Sequence, residues 1–338
     1  MSRSELEDFV RSLGEKRFRA DQLWNWMYVR SEENFENMTN ISRPLRERLA
    51  LQAYISSLCL EEEAVSPSSG TRKFLWRLED GQRIESVYIP ETRRHTLCLS
   101  TQVGCALGCR FCATGTLGFT RNLAVHEIIN QVTGASGHIG RKPTNLVLMG
   151  MGEPFLNYDN VIKALYILND QDGLAFSHRR ITISTAGLVD QLRRYTRESH
   201  PFKLAISLHA TTEKQRTALM PVNRNSALRD LIGVSREYCR VSGKRLTFEY
   251  LLLKGINDKP EDGRRLLSLL SGIPCKVNII AYNETGTGYA SPDEETINTF
   301  AESIRPLLAP VTRRLSKGDD IQGGCGQLAA CAAAKNLR

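Results

Sequence analysis

A chain of 338 residues, 41% of them hydrophobic, is long enough for one large α/β domain plus a small accessory domain, which excludes the disordered and fibrous classes. No stretch approaches the ~18 consecutive apolar residues of a membrane span, and residues 1–10 (MSRSELEDFV) carry three acidic residues and no apolar core of a signal peptide, so a soluble, cytoplasmic protein with no membrane partner is expected. Nine cysteines, an odd number in an unexported chain, speak against a disulfide framework and for metal or redox chemistry, while a net charge of +8 suits a polyanionic partner.

The first fifty or so residues read as three short helices: residues 4–13, then Phe18–Tyr28 with Leu23, Trp24 and Met27 at helical spacing, then 44–52, opened by Pro44. Residues 71–79 and 82–90 are strand-like runs flanking Asp80-Gly81, a pair that favours a two-residue type I′ hairpin. From Thr96 onward, strand-like runs (96–104, 145–150, 179–185, 203–209, 245–253, 275–283 and 311–316) alternate with segments of helical length. That rhythm predicts βα units, a parallel sheet and a partial or full barrel whose functional residues gather at the C-terminal strand ends.

Charge is unevenly spread along these elements. Residues 1–97 have a net charge of −1 and residues 98–338 a net charge of +9. The densest basic clusters are Arg93-Arg94-His95, Arg179-Arg180, Arg193-Arg194, and Arg313-Arg314 with Lys317; each alone is more often a solvated face than a phosphate site.

CALGCRFC places Cys105, Cys109 and Cys112 at C-x3-C-x2-C spacing after a strand-like run. Three thiolates can hold three irons of a four-iron four-sulfur (4Fe-4S) cluster and leave the fourth iron open. The competing reading is a structural zinc with Cys98 as fourth ligand. With this motif the sequence resembles the radical S-adenosylmethionine (radical SAM) superfamily, and GMGEP at residues 150–154 looks like that superfamily's contact to the methionine amino group. KGDDIQGGCGQLA at 317–329 narrows the resemblance to the RlmN/Cfr RNA methyltransferases. TLCLSTQVGCALGCRFCATG, RRITISTAG, ISLHA and MPVN extend it over nearly the whole chain, and FRADQLWNWMY and NFENMTNIS look like the family's small RNA-binding domain.

The resemblance implies an α/β fold: a partial (β/α)6-type radical SAM barrel with a small N-terminal helical domain and a β-hairpin. Its expected divisions are residues 1–90 (accessory domain with hairpin), 91–320 (radical SAM core) and 321–338 (C-terminal segment). It implies a 4Fe-4S cluster on Cys105, Cys109 and Cys112, and S-adenosylmethionine contacts from Gly152, Glu153, Ser184, Ser207, Leu208, His209 and Asn283. Carbon 2 of adenine lies between two electron-withdrawing ring nitrogens and is no nucleophile, so a radical route is needed. The implied route methylates Cys325, converts that S-methyl group to a methylene radical that adds to the base, and uses Cys98 to attack Cys325 and free the product, with Glu85 accepting the proton at carbon 2. The implied partners are 23S rRNA, tRNA as a further candidate, and an electron donor such as flavodoxin.

Read as residues alone, Cys325 would be a buried small hydrophobe, His209 a core histidine and Glu85 a solvated hairpin side chain. The glycines around Cys325 would give its loop freedom to move. Cys331 reads as a bystander, and Cys59, Cys239 and Cys275 as core. Pro154 in GMGEP favours methylation at carbon 2 over the carbon 8 chemistry of the Cfr branch, where Ala follows the Glu. One departure from the family pattern is Gln322-Gly323-Gly324, where an acidic residue and two alanines are common.

Overall fold

The computed structural model describes residues 1–305, 310–314 and 317–330; Cys331 lies outside them. The three expected helices form: α1 (Arg3–Ser12), α2 (Phe18–Tyr28) and α3 (Arg43–Gln52). Ser2 and Glu5 close a capping box on α1, which satisfies two otherwise orphaned N–H groups. Pro44 lies in the first turn of α3, where no intrahelical N–H is needed. The helices bury Leu6, Val10, Leu23, Trp24, Leu45 and Leu49 among themselves. They are also tied to the rest of the chain: Arg3 pairs with Asp172 at 2.7 Å, and a Cβ on Gly173 would stand 2.7 Å from Trp24 Nε1.

Four antiparallel strands follow: β1 (Cys59–Val65), β2 (Arg72–Arg77), β3 (Arg83–Pro90) and β4 (His95–Cys98). A separate antiparallel pair, β5 (Gln102–Gly104) and β6 (Phe119–Asn122), flanks the cysteine motif. Beyond it, β7 (Asn145–Leu148), β8 (Ile181–Thr185), β9 (Lys203–Ser207), β10 (Leu246–Leu252), β11 (Cys275–Ala281) and β12 (Val311–Arg314) continue from β4 as parallel neighbours. The result is one ten-stranded sheet, ordered β1-β2-β3-β4-β7-β8-β9-β10-β11-β12. The helices of this region are α4 (Ala113–Thr116), α5 (Val125–Ile139), α6 (Tyr158–Asn169), α7 (Val189–Glu198), α8 (Glu213–Leu219), α9 (Leu228–Ser242), α10 (Pro260–Leu270) and α11 (Glu294–Ser303). Strand–helix alternation with β-branched, buried strands is the expected α/β barrel architecture.

Three details differ from the sequence reading. The turn between β2 and β3 is a three-residue loop, not a two-residue type I′ turn: Leu78 and Gln82 still pair, Gly81 N–H donates to Leu78 O at 3.0 Å, and Gly81 has φ +81°. A type I turn followed by a left-handed glycine is the next most favoured hairpin closure, and Asp80 secures it by accepting from Gln82 N–H at 3.0 Å. Second, β1 is an edge strand with alternating exposure, and Cys59 on it is exposed, whereas Cys239 and Cys275 are buried as expected.

Third, the run 96–104 breaks after Cys98, so Cys98 and Cys105 lie in different sheets. Ser100, Thr101 and Gln102 are buried polar residues, and their hydrogen bonds turn the chain aside: Ser100 N–H donates to Gln131 Oε1, Ser100 Oγ to Glu85 O, and Thr101 N–H to Met151 O. The sheet itself runs without interruption across residue 90, since Val87 pairs with Cys98 and Pro90 with His95.

The outer face of the hairpin is covered by α5. A Cβ on Gly134 would lie 3.1 Å from the Trp76 ring, whose Nε1 donates to Ser86 Oγ at 2.7 Å. Gly134→Leu is therefore expected to overpack this contact and cost about 1–3 kcal/mol, read as a lower denaturant midpoint with unchanged slope.

Candidate active site

The cysteine motif is a tight loop between β5 and α4. Gly104 (φ +74°) must be glycine, because a Cβ there would fall 2.0 Å from Gly118 O, and that carbonyl accepts from Cys105 N–H at 2.7 Å. Gly115 allows the far end of the loop to close, since its Cβ would be 2.8 Å from Cys109 O. Cys109 and Cys112 pack against an apolar cup that includes Phe111, Leu219, Met220, Leu251, Ile280 and Tyr282. Burial pushes Cys105 up to about 12 and raises Cys109 and Cys112 as well, so this pocket favours neutral thiols until a cation joins them.

Among the described residues, no three His, Cys, Asp or Glu side chains are gathered closely enough to hold one metal ion. A tetrahedral zinc would draw its sulfurs to about 3.8 Å of one another at a bond length of ~2.3 Å. Cys98 lies outside the loop of the other three, on β4.

The C-terminal segment is strapped over this loop. Ala113 N–H donates to Gly326 O (2.7 Å), Thr114 Oγ1 to Leu328 O (2.6 Å), and Asn283 Nδ2 to Cys325 O (3.1 Å). Gln327 bridges Gly324 N–H and Glu284 O. Cys325 thereby comes within electrostatic reach of both Cys112 and Cys98. All eight described cysteines are free thiols. Burial and then Cys325 push the Cys98 thiol up to about 12, opposed by the Arg314 guanidinium, which donates to Met149 Sδ at 3.3 Å. The glycines act partly through space and not only through torsion: Gly324 has no positive φ, but a Cβ on it would stand 2.7 Å from both Asn283 Nδ2 and Gln327 Oε1.

Glu85, at the centre of β3, is not solvated. It is buried, its Oε1 is 3.1 Å from Lys73 Nζ, and its Oε2 accepts from Ala329 N–H (2.8 Å) and Ala330 N–H (3.1 Å). The hairpin thus also holds the strap, at residues 329–330.

The expected cofactor residues converge on the C-terminal ends of the parallel strands. Gly152 (φ +94°) lets the GMGEP turn lie against Gln102, whose Oε1 accepts from Glu153 N–H at 2.8 Å. Glu153 is buried and pushed up to about 7 by desolvation, even though its carboxylate accepts from Phe155 and Ala186 N–H. Ser184 and Ser207 are half-buried on β8 and β9, and Leu208 is buried beside them. His209 adopts φ +55°; its Nδ1 accepts from Leu251 N–H at 3.0 Å, so its proton resides on Nε2, and burial holds its pKa down at about 3. Its ring meets Phe111 of the cysteine loop edge-on at 5.1 Å. Sequence reasoning passed over Arg216. It is fully buried, donates to Ala186 O and Asn223 Oδ1, and leaves its Nε without a partner close to Cys109. The MPVN motif, through Asn223, was its only signal.

The family described as "Radical SAM superfamily" matches residues 99–267, and "Ribosomal RNA large subunit methyltransferase N-terminal domain" matches residues 1–55. The chain is 47% identical to the "Dual-specificity RNA methyltransferase RlmN" of Anaeromyxobacter dehalogenans, over 96% of this chain and 89% of that protein. It is also 47% identical to the protein of the same description from Pelobacter propionicus, over 96% of this chain and 92% of that one. This chain belongs to the RlmN family of radical SAM methyltransferases. The crystal structure of a radical SAM methyltransferase from Sphaerobacter thermophilus superposes with a TM-score of 0.94 at 41% identity, covering 98% of each chain. Radical SAM membership implies a 4Fe-4S cluster and S-adenosylmethionine. The residues here fit both: three free thiols on one loop, their pKa raised by burial and set beside an apolar cup, for the cluster, and a buried guanidinium with an unpartnered N–H beside them for an anionic group. Among the described residues, no helix is long and apolar enough to cross a membrane.

Proposed function

We propose that this chain methylates carbon 2 of an adenine in 23S rRNA, with tRNA as a second substrate, through a one-carbon unit carried on Cys325. The observation that carries this reading is the position of Cys325: hydrogen bonds of the strap hold it between the cysteine loop and Cys98, with all of these thiols free. When bound, the cluster and S-adenosylmethionine supply the methyl group and the one-electron chemistry. Cys105, Cys109 and Cys112 would hold the cluster; Gly152, Glu153, Ser184, Ser207, Leu208, His209 and Asn283 would line the cofactor's place. Neutral His209 offers only its Nε2–H as a donor there, and Asn283 fixes the backbone of the carrier cysteine.

Cys325 is joined to carbon 2 of the base through its one-carbon unit, and the Cys98 thiolate attacks the Cys325 sulfur: the sulfur–sulfur bond forms as the sulfur–carbon bond breaks, and the released carbon takes up a proton to become the methyl group, leaving a Cys98–Cys325 disulfide. Glu85 accepts the proton from carbon 2. To do so its Oε2 must first be released by the 329–330 backbone, which couples proton transfer to movement of the strap. Residues 1–90, 91–320 and 321–338 divide this work into accessory RNA contacts, the barrel site and the carrier segment. The electron donor is a small cytoplasmic redox protein such as flavodoxin.

Nucleoside analysis of 23S rRNA treated with reconstituted enzyme and S-adenosylmethionine under anaerobic, reducing conditions is expected to yield 2-methyladenosine. An 8-methyladenosine product would transfer the chain to Cfr-type chemistry.

A further inference from the structure

Two basic clusters that are far apart in sequence meet in the fold. Arg93 and Arg94, in the turn between β3 and β4, and Lys317, just after β12, line one open cavity of about 620 Å³ together with Ser69, Glu91 and Thr92. Glu91 Oε2 accepts from Arg94 Nε at 2.9 Å, and its Oε1 stands 3.6 Å from Lys317 Nζ; Arg93 makes no salt bridge among the described residues. Three cations face one carboxylate. Exposed pairs of this kind contribute little stability, so Glu91 orders two of the cations without removing their attraction for a polyanion.

The cavity is fixed relative to the reacting groups from two sides. Pro90 ends the strand that carries Glu85 five residues earlier, about 17 Å away along an extended strand. Lys317 opens the segment that carries Cys325, and the start of that segment is pinned to the β1–β2 turn: Ser66 Oγ donates to Asp320 Oδ2 at 2.9 Å, and Gly318 (φ +75°) packs so closely that a Cβ would lie 2.6 Å from Thr71 Cγ2.

We infer that this cavity binds backbone phosphates of the RNA strand flanking the target adenine, an inference that rests on the RNA methyltransferase reading above. Its chemistry is that of a positioning site: cations, plus the hydroxyls of Ser69 and Thr92, suit phosphate oxygens and read no base. An acidic protein could also be drawn to such charge. However, the cavity shares strand β3 with Glu85 and a segment with Cys325, at a distance that flanking nucleotides span, whereas an electron donor has to approach the Cys105–Cys112 loop.

The test is the salt dependence of binding of a substrate-length 23S rRNA fragment to the holoenzyme. Neutralising the cavity (R93Q/R94Q/K317Q) is expected to weaken binding at least tenfold near physiological salt and to reduce the slope of log affinity against log salt by about 2, at ~0.7–0.9 per lost phosphate contact. Glu91→Gln is expected to tighten binding several-fold, a gain that misfolding cannot produce; retained iron–sulfur absorbance shows that each variant is folded, and Arg93→Gln alone serves if the triple variant is not. An unchanged slope in a folded variant, or weaker binding by Glu91→Gln, overturns the assignment. So does an unchanged slope accompanied by slower reduction by an acidic protein donor, which would give the cavity to that partner. If wild-type holoenzyme binds no RNA at low salt, the RNA reading itself fails, and not merely this cavity.

Discussion

Replacing Cys105, Cys109 or Cys112 with alanine is expected to abolish iron–sulfur absorbance in reconstituted protein, while Cys98→Ala retains it. The three motif thiols share one loop, two of them against one apolar cup, and burial disfavours the charged form of all three, so cluster iron is what makes them thiolates. Removing one leaves two protein ligands for three irons. Cys98 is on β4, separated from the loop by the turn at 99–101, and its electrostatic neighbours are Cys325 and Arg314. Anaerobic reconstitution followed by visible absorbance and iron and sulfide analysis distinguishes the cases. Loss of the cluster in Cys98→Ala would show a four-thiolate site and revive the zinc-like ligand set.

The cluster loop was legible because its chemistry is local: spacing within eight residues fixes which thiols can share a cluster. The parallel strands were legible because buried strands read as apolar runs wherever they sit. What escaped the sequence depends on contacts between distant segments. Glu85 reads as a solvated hairpin carboxylate until Lys73 on β2 and the 329–330 backbone enclose it, and Lys73 gives no signal of its own. Arg216 and Arg314 look like two of many surface cations, yet one is fully buried at the cysteine loop and the other faces Cys98 and Cys325. The break after Cys98 was hidden for the opposite reason. Thr101 and Gln102 continue a β-compatible pattern, and only the hydrogen bonds from Gln131 and Met151 show where the chain leaves the sheet. The Asp80-Gly81 turn was placed correctly but one residue short, because a glycine with positive φ serves both hairpin closures and the sequence does not say which residue starts the loop.

Cys98 and Cys325 are free thiols within electrostatic reach of each other, yet their alanine variants are expected to fail in different ways. Without Cys325 there is no carrier for the one-carbon unit. Cys325→Ala should therefore neither methylate RNA nor form an adduct, while keeping its cluster, because Cys325 is outside the ligand loop. Without Cys98, the bond from Cys325 to carbon 2 can still form, but nothing attacks the Cys325 sulfur to break it. Thiol exchange is fast only for a thiolate already in place, and among the described residues the other free cysteines are either in the ligand loop or on β1, α9 and β11. Cys98→Ala should accumulate a covalent RNA–protein species, seen as a slow band on a denaturing gel that ribonuclease collapses. The wild-type release step carries a second signature. Burial holds the Cys98 thiol up at about 12, so its thiolate fraction rises about tenfold per pH unit throughout the neutral range, and adduct breakdown should accelerate from pH 7 to pH 9 without a plateau. Normal turnover by Cys98→Ala would remove Cys98 from the mechanism. An adduct in Cys325→Ala would move the carrier role to another cysteine, with Cys331 the first to test.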